Sequence, residues 1–132
     1  MILIDTSVWI EFFRQHEPVS SHVSTLLAEQ KVITVEPVFS ELMFGVDKAQ
    51  ARSIINTFWQ ILPKIEFVAE TMFEASSFAF QNNSQEFKIG LIDATIIRSA
   101  QIGGHLLWTL DERIISIMDN SQLYHLQVDL ET

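Results

Sequence analysis

Two acidic residues follow short apolar stretches, and their position is the first sign of chemistry in the sequence. Asp5 comes directly after the apolar run 2–4, and Asp111 comes just after the run 105–109. Large apolar residues dominate both runs, which favours buried strands. In open α/β sheets, ligands bind beyond the carboxyl ends of the strands. Both carboxylates are therefore expected where such a fold binds its ligand.

Two further acids, Asp93 and Glu41, interrupt helical patterns that are otherwise apolar. An ionised carboxylate in such surroundings is costly unless it is paired or binds a cation. The apolar neighbours are Leu91, Ile92, Ile96 and Ile97 for the first acid, and Val38, Phe39, Leu42, Met43 and Phe44 for the second.

Each of the four acids also has a structural interpretation. Asp5 could cap a first helix, and Asp93 could cap a later one. Asp111 could close a turn, and Glu41 could pair with a base. The four together favour a functional interpretation, because each stands at a switch between apolar and polar residues, where a charge is least expected.

Four carboxylates in one site would repel one another, and a divalent ion would relieve that repulsion. The chain has no Cys, which excludes thiolate ligands. A hard cation such as Mg²⁺ or Mn²⁺ is therefore expected. Such a site suits hydrolysis of a phosphodiester by water, leaving 5′-phosphate and 3′-hydroxyl ends, and a second ion could stabilise the leaving oxygen.

These acids need a scaffold, and the hydrophobic pattern predicts one in which strands and helices alternate. Strands are predicted at 2–4, 32–35, 65–68, 106–109 and 126–130. Helices are predicted from residue 6, from Ser20 or Ser21, from Pro37 to Gly45, and over 54–61, 72–80, 91–102 and 114–118. This alternation indicates a single α/β domain over residues 1–132, a small parallel β-sheet flanked by α-helices on both faces (an α/β/α sandwich).

The composition restricts location and partners. No apolar run reaches the ~20 residues of a membrane helix, and no signal peptide is visible, so a soluble, cytoplasmic protein is expected. The formal net charge is −9, from 17 acids and 8 bases. This balance is unusual for a nucleic-acid binder, which normally carries a basic face. A metal held by gathered acids would reverse the local field.

Other site chemistries lack a matching motif. The sequence contains no Gly-x-Gly-x-x-Gly motif, no P-loop and no Gly-x-Ser-x-Gly elbow. His16 and His22 are six residues apart with Pro18 between them, which is not zinc-ligand spacing. A phosphatase-like hydrolase with Asp5 as nucleophile would need a second Asp two residues on, where this chain has Ser7.

The segments that carry the four acids resemble a PIN domain. They are Ile-Asp-Thr-Ser-Val-Trp-Ile at 4–10, Glu-Leu-Met-Phe-Gly at 41–45, Asp-Ala-Thr-Ile at 93–96 and Trp-Thr-Leu-Asp at 108–111. In length and motif order the chain is similar to the VapC toxins of bacterial toxin–antitoxin pairs. The resemblance implies an Mg²⁺- or Mn²⁺-dependent endoribonuclease that acts on RNA. It also implies a homodimer and a VapB-like antitoxin that wraps the toxin and blocks its site.

The resemblance assigns roles to particular residues. The catalytic and metal-binding acids fall on Asp5, Glu41, Asp93 and Asp111, and the supporting hydroxyls fall on Thr6 or Ser7 and on Thr109.

One position departs from the family. Many members carry a further acid two residues after the fourth, where this chain has Arg113. The number of bound ions therefore stays open. Contact with RNA phosphates is one interpretation of Arg113 and Arg14, and a surface ion pair or ordinary solvated charge is the other. A degenerate PIN domain that binds RNA or protein without cutting is the second hypothesis, although the presence of all four acids favours the enzyme.

Overall fold

Three short strands and seven α-helices make up the part of the chain that the computed structural model describes, residues 1–66 and 68–126. The strands are β1 (Ile2–Ile4), β2 (Val32–Ile33) and β3 (Leu106–Trp108). The helices are α1 (Thr6–Phe13), α2 (Val19–Ala28), α3 (Glu36–Phe44), α4 (Ala49–Ile61), α5 (Thr71–Asn82), α6 (Leu91–Gly103) and α7 (Glu112–Ile117), followed by a 3₁₀ turn at Asn120–Gln122. Within these residues, no helix is long and apolar enough to cross a membrane.

The sheet is parallel, and β1 is its central strand. The strand order is β2-β1-β3, with Ile2 opposite both Val32 and Leu106. The ladder continues one residue past β1, because the Asp5 amide donates to the Trp108 carbonyl at 2.9 Å. The predicted α/β fold with a small parallel sheet flanked by helices is confirmed. The carboxyl ends of β1 and β3 lie side by side.

Proline and glycine set the ends of the helices that carry Glu41 and Asp93. Pro37 lies in the first turn of α3, where its missing amide proton is not needed, and Gly45 follows the last helical residue. The helix α6 ends at Gly104, which has a left-handed φ of +70°. Such a φ favours glycine because it has no Cβ. The predicted extents of both helices are confirmed within two residues.

Several predicted elements differ from the structure, and the helix expected over 54–61 begins earlier, at Ala49. The strand expected at 65–68 is reduced to one bridge between Lys64 and Thr34, and Phe67 lies outside the described residues. The helix α2 begins at Val19, after Pro18, so Ser20 and Ser21 do not cap it. Of the strand expected at 126–130, only Leu126 is described, and it lies in no strand.

An aromatic cluster fixes α1 against the rest of the domain. Trp9 is fully buried, and its ring stacks on Phe13 with a centroid distance of 5.7 Å. It meets Phe39 of α3 edge-on at 5.4 Å and Phe58 of α4 at 5.8 Å. Because Trp9 lies one turn beyond the first residues of α1, the cluster also holds those residues in place.

Candidate active site

Asp5 is the buried acid at the centre of the carboxyl edge of the sheet. It occupies the N-cap position of α1, but its side chain makes no capping hydrogen bond. Its Oδ2 instead accepts hydrogen bonds from Ser7 Oγ at 2.9 Å and from Thr109 Oγ1 at 2.8 Å. The residue is only 4 % exposed. The capping interpretation is therefore wrong for this side chain, and two hydroxyl donors orient it.

The same two hydroxyls bind the backbone that follows β3. Thr109 Oγ1 accepts from the Asp111 amide at 3.0 Å, and Ser7 Oγ accepts from the Leu110 amide at 3.0 Å. Each hydroxyl thus donates to Asp5 and accepts from the neighbouring loop. This arrangement ties the ends of β1 and β3 together and sets the position of Asp111 relative to Asp5.

Replacing Thr109 with valine is expected to lower the free energy of unfolding by about 1–3 kcal/mol, because a buried carboxylate loses a donor and a backbone amide loses its acceptor. Urea denaturation measures the loss. The matched control is Thr57→Val, since the exposed Thr57 hydroxyl on α4 donates, among the described residues, to the Ser53 carbonyl alone. That control is expected to stay within about 0.5 kcal/mol of wild type. Equal losses in both variants would contradict the bridging role of Thr109.

Glu41 reaches the site from α3. Its Oε1 accepts a hydrogen bond from Thr6 Oγ1 at 2.8 Å, which joins α1 to α3. Burial is the main cause that raises the pKa of Glu41, and the nearby charge of Asp5 adds to it, whereas the Thr6 hydrogen bond acts in the opposite direction. Thr6 and Ser7 therefore serve different acids.

Asp93 lies in the first turn of α6, and its pKa is strongly raised. Its pKa is raised to about 6, mainly by burial and then by the charges of Asp5, Asp111 and Glu41 in that order. Arg113 opposes the rise. Carboxylates must lie close together to affect one another in this way. The structure thus brings all four predicted acids to one site.

Because the pKa of Asp93 is raised in the folded chain, loss of its proton is expected to lower the free energy of unfolding. In the metal-free chain the folded state holds this proton up to about pH 6, whereas the unfolded chain releases it near 3.8. Stability is therefore highest below the lower value and falls as the pH rises towards the upper one. The variant Asp93→Asn lacks this loss, so its free energy of unfolding should gain about 2–3 kcal/mol on wild type between about pH 4 and 7.

Urea denaturation across that pH range, with EDTA present, measures the difference between the two proteins. The control is Asp47→Asn, in an exposed loop, which is expected to keep a constant offset from wild type. A constant offset for Asp93→Asn as well would show that the site does not hold this carboxyl protonated.

Asp111 is paired with Arg113. Its side chain caps α7 by accepting from the Arg113 amide. It also binds the guanidinium of the same residue, with Nη2 and Oδ2 2.7 Å apart. This hydrogen bond is the main cause that lowers the pKa of Asp111. The structure thus shows Arg113 in an ion pair, the alternative to a phosphate contact.

Arg14 has a different environment. It is exposed just after α1 and lines a groove together with Thr6 and Glu41. It thus lies at the rim of the site, and its interpretation as an RNA contact stays a prediction.

Asn83 is a supporting residue that the sequence did not reveal. Its side-chain amide donates to the Ile89 carbonyl at 3.2 Å, and its Oδ1 accepts from the Ile89 amide at 2.9 Å. This two-point contact closes the loop before α6, which carries Asp93. The only sequence signal is an asparagine that opens a polar loop, and such residues often bond nearby backbone.

The oxygen donors of this site are chemically suited to a hard divalent cation. The side chains present carboxylate and hydroxyl oxygens, the ligands that Mg²⁺ and Mn²⁺ prefer. Among residues 1–66 and 68–126, no three His, Asp or Glu side chains are arranged to hold a metal. An ion would require some of these carboxylates to turn towards it.

Known proteins show the same fold. The chain has a TM-score of 0.73 and 17 % identity to a toxin–antitoxin complex from Klebsiella pneumoniae, covering 95 % of this chain and 97 % of that one. For VapBC2 from Rickettsia felis, bound to a promoter DNA fragment, the TM-score is 0.70 and the identity 23 %, covering 93 % of this chain and 96 % of that one. VapC20 from Mycobacterium tuberculosis is described as a toxin that cleaves the sarcin-ricin loop. Its TM-score is 0.67 and its identity 17 %, covering 88 % of this chain and 94 % of that one.

The sequence gives the family directly. No protein of curated function matches the chain by sequence. The PIN domain family profile, in contrast, matches residues 2–119. This match spans every element from β1 to α7 and all four acids of the site. The chain therefore belongs to the PIN-domain family.

Proposed function

We propose that this chain is a divalent-metal-dependent endoribonuclease and the toxin of a toxin–antitoxin pair. The observation that carries the proposal is the convergence of Asp5, Glu41, Asp93 and Asp111 at the carboxyl edge of the sheet, where three of them raise the pKa of Asp93. The names of structurally similar proteins support it, since one is described as a toxin that cleaves the sarcin-ricin loop.

Carboxylate oxygens of this site would hold Mg²⁺ or Mn²⁺. When bound, such an ion would activate water and stabilise the negative charge that develops during phosphodiester hydrolysis. The chain itself orients the donors. Ser7 and Thr109 hold one oxygen of Asp5, and Thr6 holds one oxygen of Glu41. The other oxygen of each carboxylate accepts no hydrogen bond from the described residues, so it can face the ion.

Arg14 is the proposed contact to an RNA phosphate at the rim of this site. It is exposed beside Thr6 and Glu41, and arginine binds phosphate oxygens well. With a net charge of −9, the chain would make few such contacts. Binding would then rely on the ion and on the shape of the RNA.

A VapB-like antitoxin is the proposed regulatory partner. An apolar groove between α1, α3 and α4 leads to Glu41 and is lined by Ile10, Phe13, Leu42, Val46, Ile54 and Ile55. Occupation of this groove would place the partner beside the site and restrict RNA access. The similar structures from Klebsiella pneumoniae and Rickettsia felis are described as toxin–antitoxin assemblies. Exposed Phe73 and Phe80 on α5 further support a homodimer.

Cleavage of total RNA by the purified chain, separated from any antitoxin, tests the enzymatic proposal. Discrete fragments with 5′-phosphate and 3′-hydroxyl ends are expected with Mg²⁺ or Mn²⁺, and none with EDTA. Thermal unfolding should shift to higher temperature with Mn²⁺, because a ligand that binds only the folded state stabilises it. If the chain cleaves no RNA with either metal but still binds RNA, a non-catalytic binding module becomes the better explanation.

A further inference from the structure

Arg113 stands at the candidate active site with its charge already paired. Its Nε donates to Asp111 Oδ1 at 3.1 Å, and its Nη2 donates to Oδ2 at 2.7 Å. Its Nη1 donates to the Lys88 carbonyl at 3.3 Å, and Nη2 lies 3.6 Å from Asp93 Oδ2. A bidentate pair of this kind fixes both partners in one geometry. The guanidinium is thus an anchored part of the site.

The hydrogen bonds separate Asp111 from the other three acids. Both oxygens of Asp111 accept from the guanidinium, and Oδ1 also accepts from the Arg113 amide at 2.9 Å. Within residues 1–66 and 68–126, Asp5 accepts side-chain hydrogen bonds only through Oδ2, Glu41 only through Oε1, and Asp93 through neither oxygen. These three acids therefore retain oxygens for a cation, whereas those of Asp111 are occupied.

The net charge of the site also indicates that Asp111 is separate from the other three acids. Four carboxylates carry −4 in total, and two divalent ions would neutralise them. With the guanidinium the total is −3, so one divalent ion leaves −1 and a second would leave +1. Like charges at short range repel strongly in a partly buried site. A second ion would also have to displace an arginine that holds Asp111 at both oxygens.

We propose that the Arg113 guanidinium is a fixed internal cation that neutralises Asp111, so that the chain binds a single divalent ion through Asp5, Glu41 and Asp93. The inference rests on the proposed function, because it concerns the ion of that same site. It assigns Asp111 to positioning: this residue holds Arg113 and caps α7 but does not ligate the ion.

The first test counts Mn²⁺ ions bound to the metal-free full chain by electron paramagnetic resonance and calorimetry. Wild type is expected to bind one ion and Arg113→Asp two, since that substitution replaces the internal cation with a fifth carboxylate. The matched control is Arg98→Asp, because Arg98 also pairs with an acid, Glu74, which is not one of the four acids of the site. It should still bind one ion. Two ions in wild type, or one in Arg113→Asp, would overturn the proposal.

The second test compares wild type with the double variant Asp111→Asn/Arg113→Gln, which removes both charges of the pair. Asparagine caps helices as well as aspartate, so circular dichroism should show a retained fold. One ion with a dissociation constant within about threefold of wild type is expected, because loss of even a supporting group of a metal ligand costs about 10–100-fold. A tenfold or greater loss would make Asp111 a ligand and overturn this inference alone. Absence of Mn²⁺ binding in folded wild type would overturn the proposed function as well.

Discussion

Replacing Asp5 with asparagine is expected to abolish metal-dependent RNA cleavage while leaving the fold intact. Loss of a group that only supports a metal ligand costs about 10–100-fold, so loss of the charge of the most buried acid should cost at least about 100-fold. Asparagine has nearly the same shape, and its single carbonyl oxygen can accept from both Ser7 and Thr109, which share one oxygen of Asp5. The effect is therefore expected in catalysis and Mn²⁺ affinity, with little change in stability.

Single-turnover cleavage of RNA, measured beside Mn²⁺ binding, checks this result. The matched control is Asp119→Asn, because Asp119 accepts hydrogen bonds from Ser121 at an exposed turn and carries the same charge. Its activity should equal that of wild type. If Asp5→Asn retained more than a tenth of the wild-type rate, Asp5 could not be a central ligand.

Replacing Trp9 with alanine is expected to lower the free energy of unfolding by about 3–5 kcal/mol. The ring is fully buried and packs on aromatic residues from α1, α3 and α4. Its removal leaves a cavity that these rings cannot all move to fill. Because α1 also carries Thr6 and Ser7, the variant should cleave RNA more slowly even at temperatures at which it is still folded.

The companion variant Trp9→Phe separates ring packing from polar contact. Trp9 Nε1 is buried without a hydrogen-bond partner among the described residues, so phenylalanine removes an unpaired donor and keeps most aromatic contacts. Its loss of stability in urea denaturation should be less than half that of Trp9→Ala. Phe44→Ala, at a ring that is 95 % exposed, should have little effect. Equal losses at the three variants would contradict the packing argument.

Much of the fold follows from local signals that the sequence carries. Pro37 and Gly104 mark helix ends because each restricts or permits a backbone conformation whatever its distant neighbours are. The apolar runs before Asp5 and Asp111 identify β1 and β3, since a strand buried on both faces must be apolar throughout. The sequence is less informative about elements that depend on a neighbouring strand or helix in the folded chain. The strand expected at 65–68 is one bridge at Lys64, because β-propensity alone does not supply a neighbouring strand to pair with.

The candidate site residues are visible in the sequence, as four acids at switches between apolar and polar residues, two of them after strands of an α/β domain. The contacts of each acid depend on how the chain folds. Thr109 meets Asp5 across 104 positions, and Thr6 meets Glu41 across 35. Asp111 differs, because it pairs with an arginine only two residues away. Hydrogen bonds and charge pairs depend on distances of a few ångströms, and for the pairs that are distant in the sequence only folding brings the groups so close.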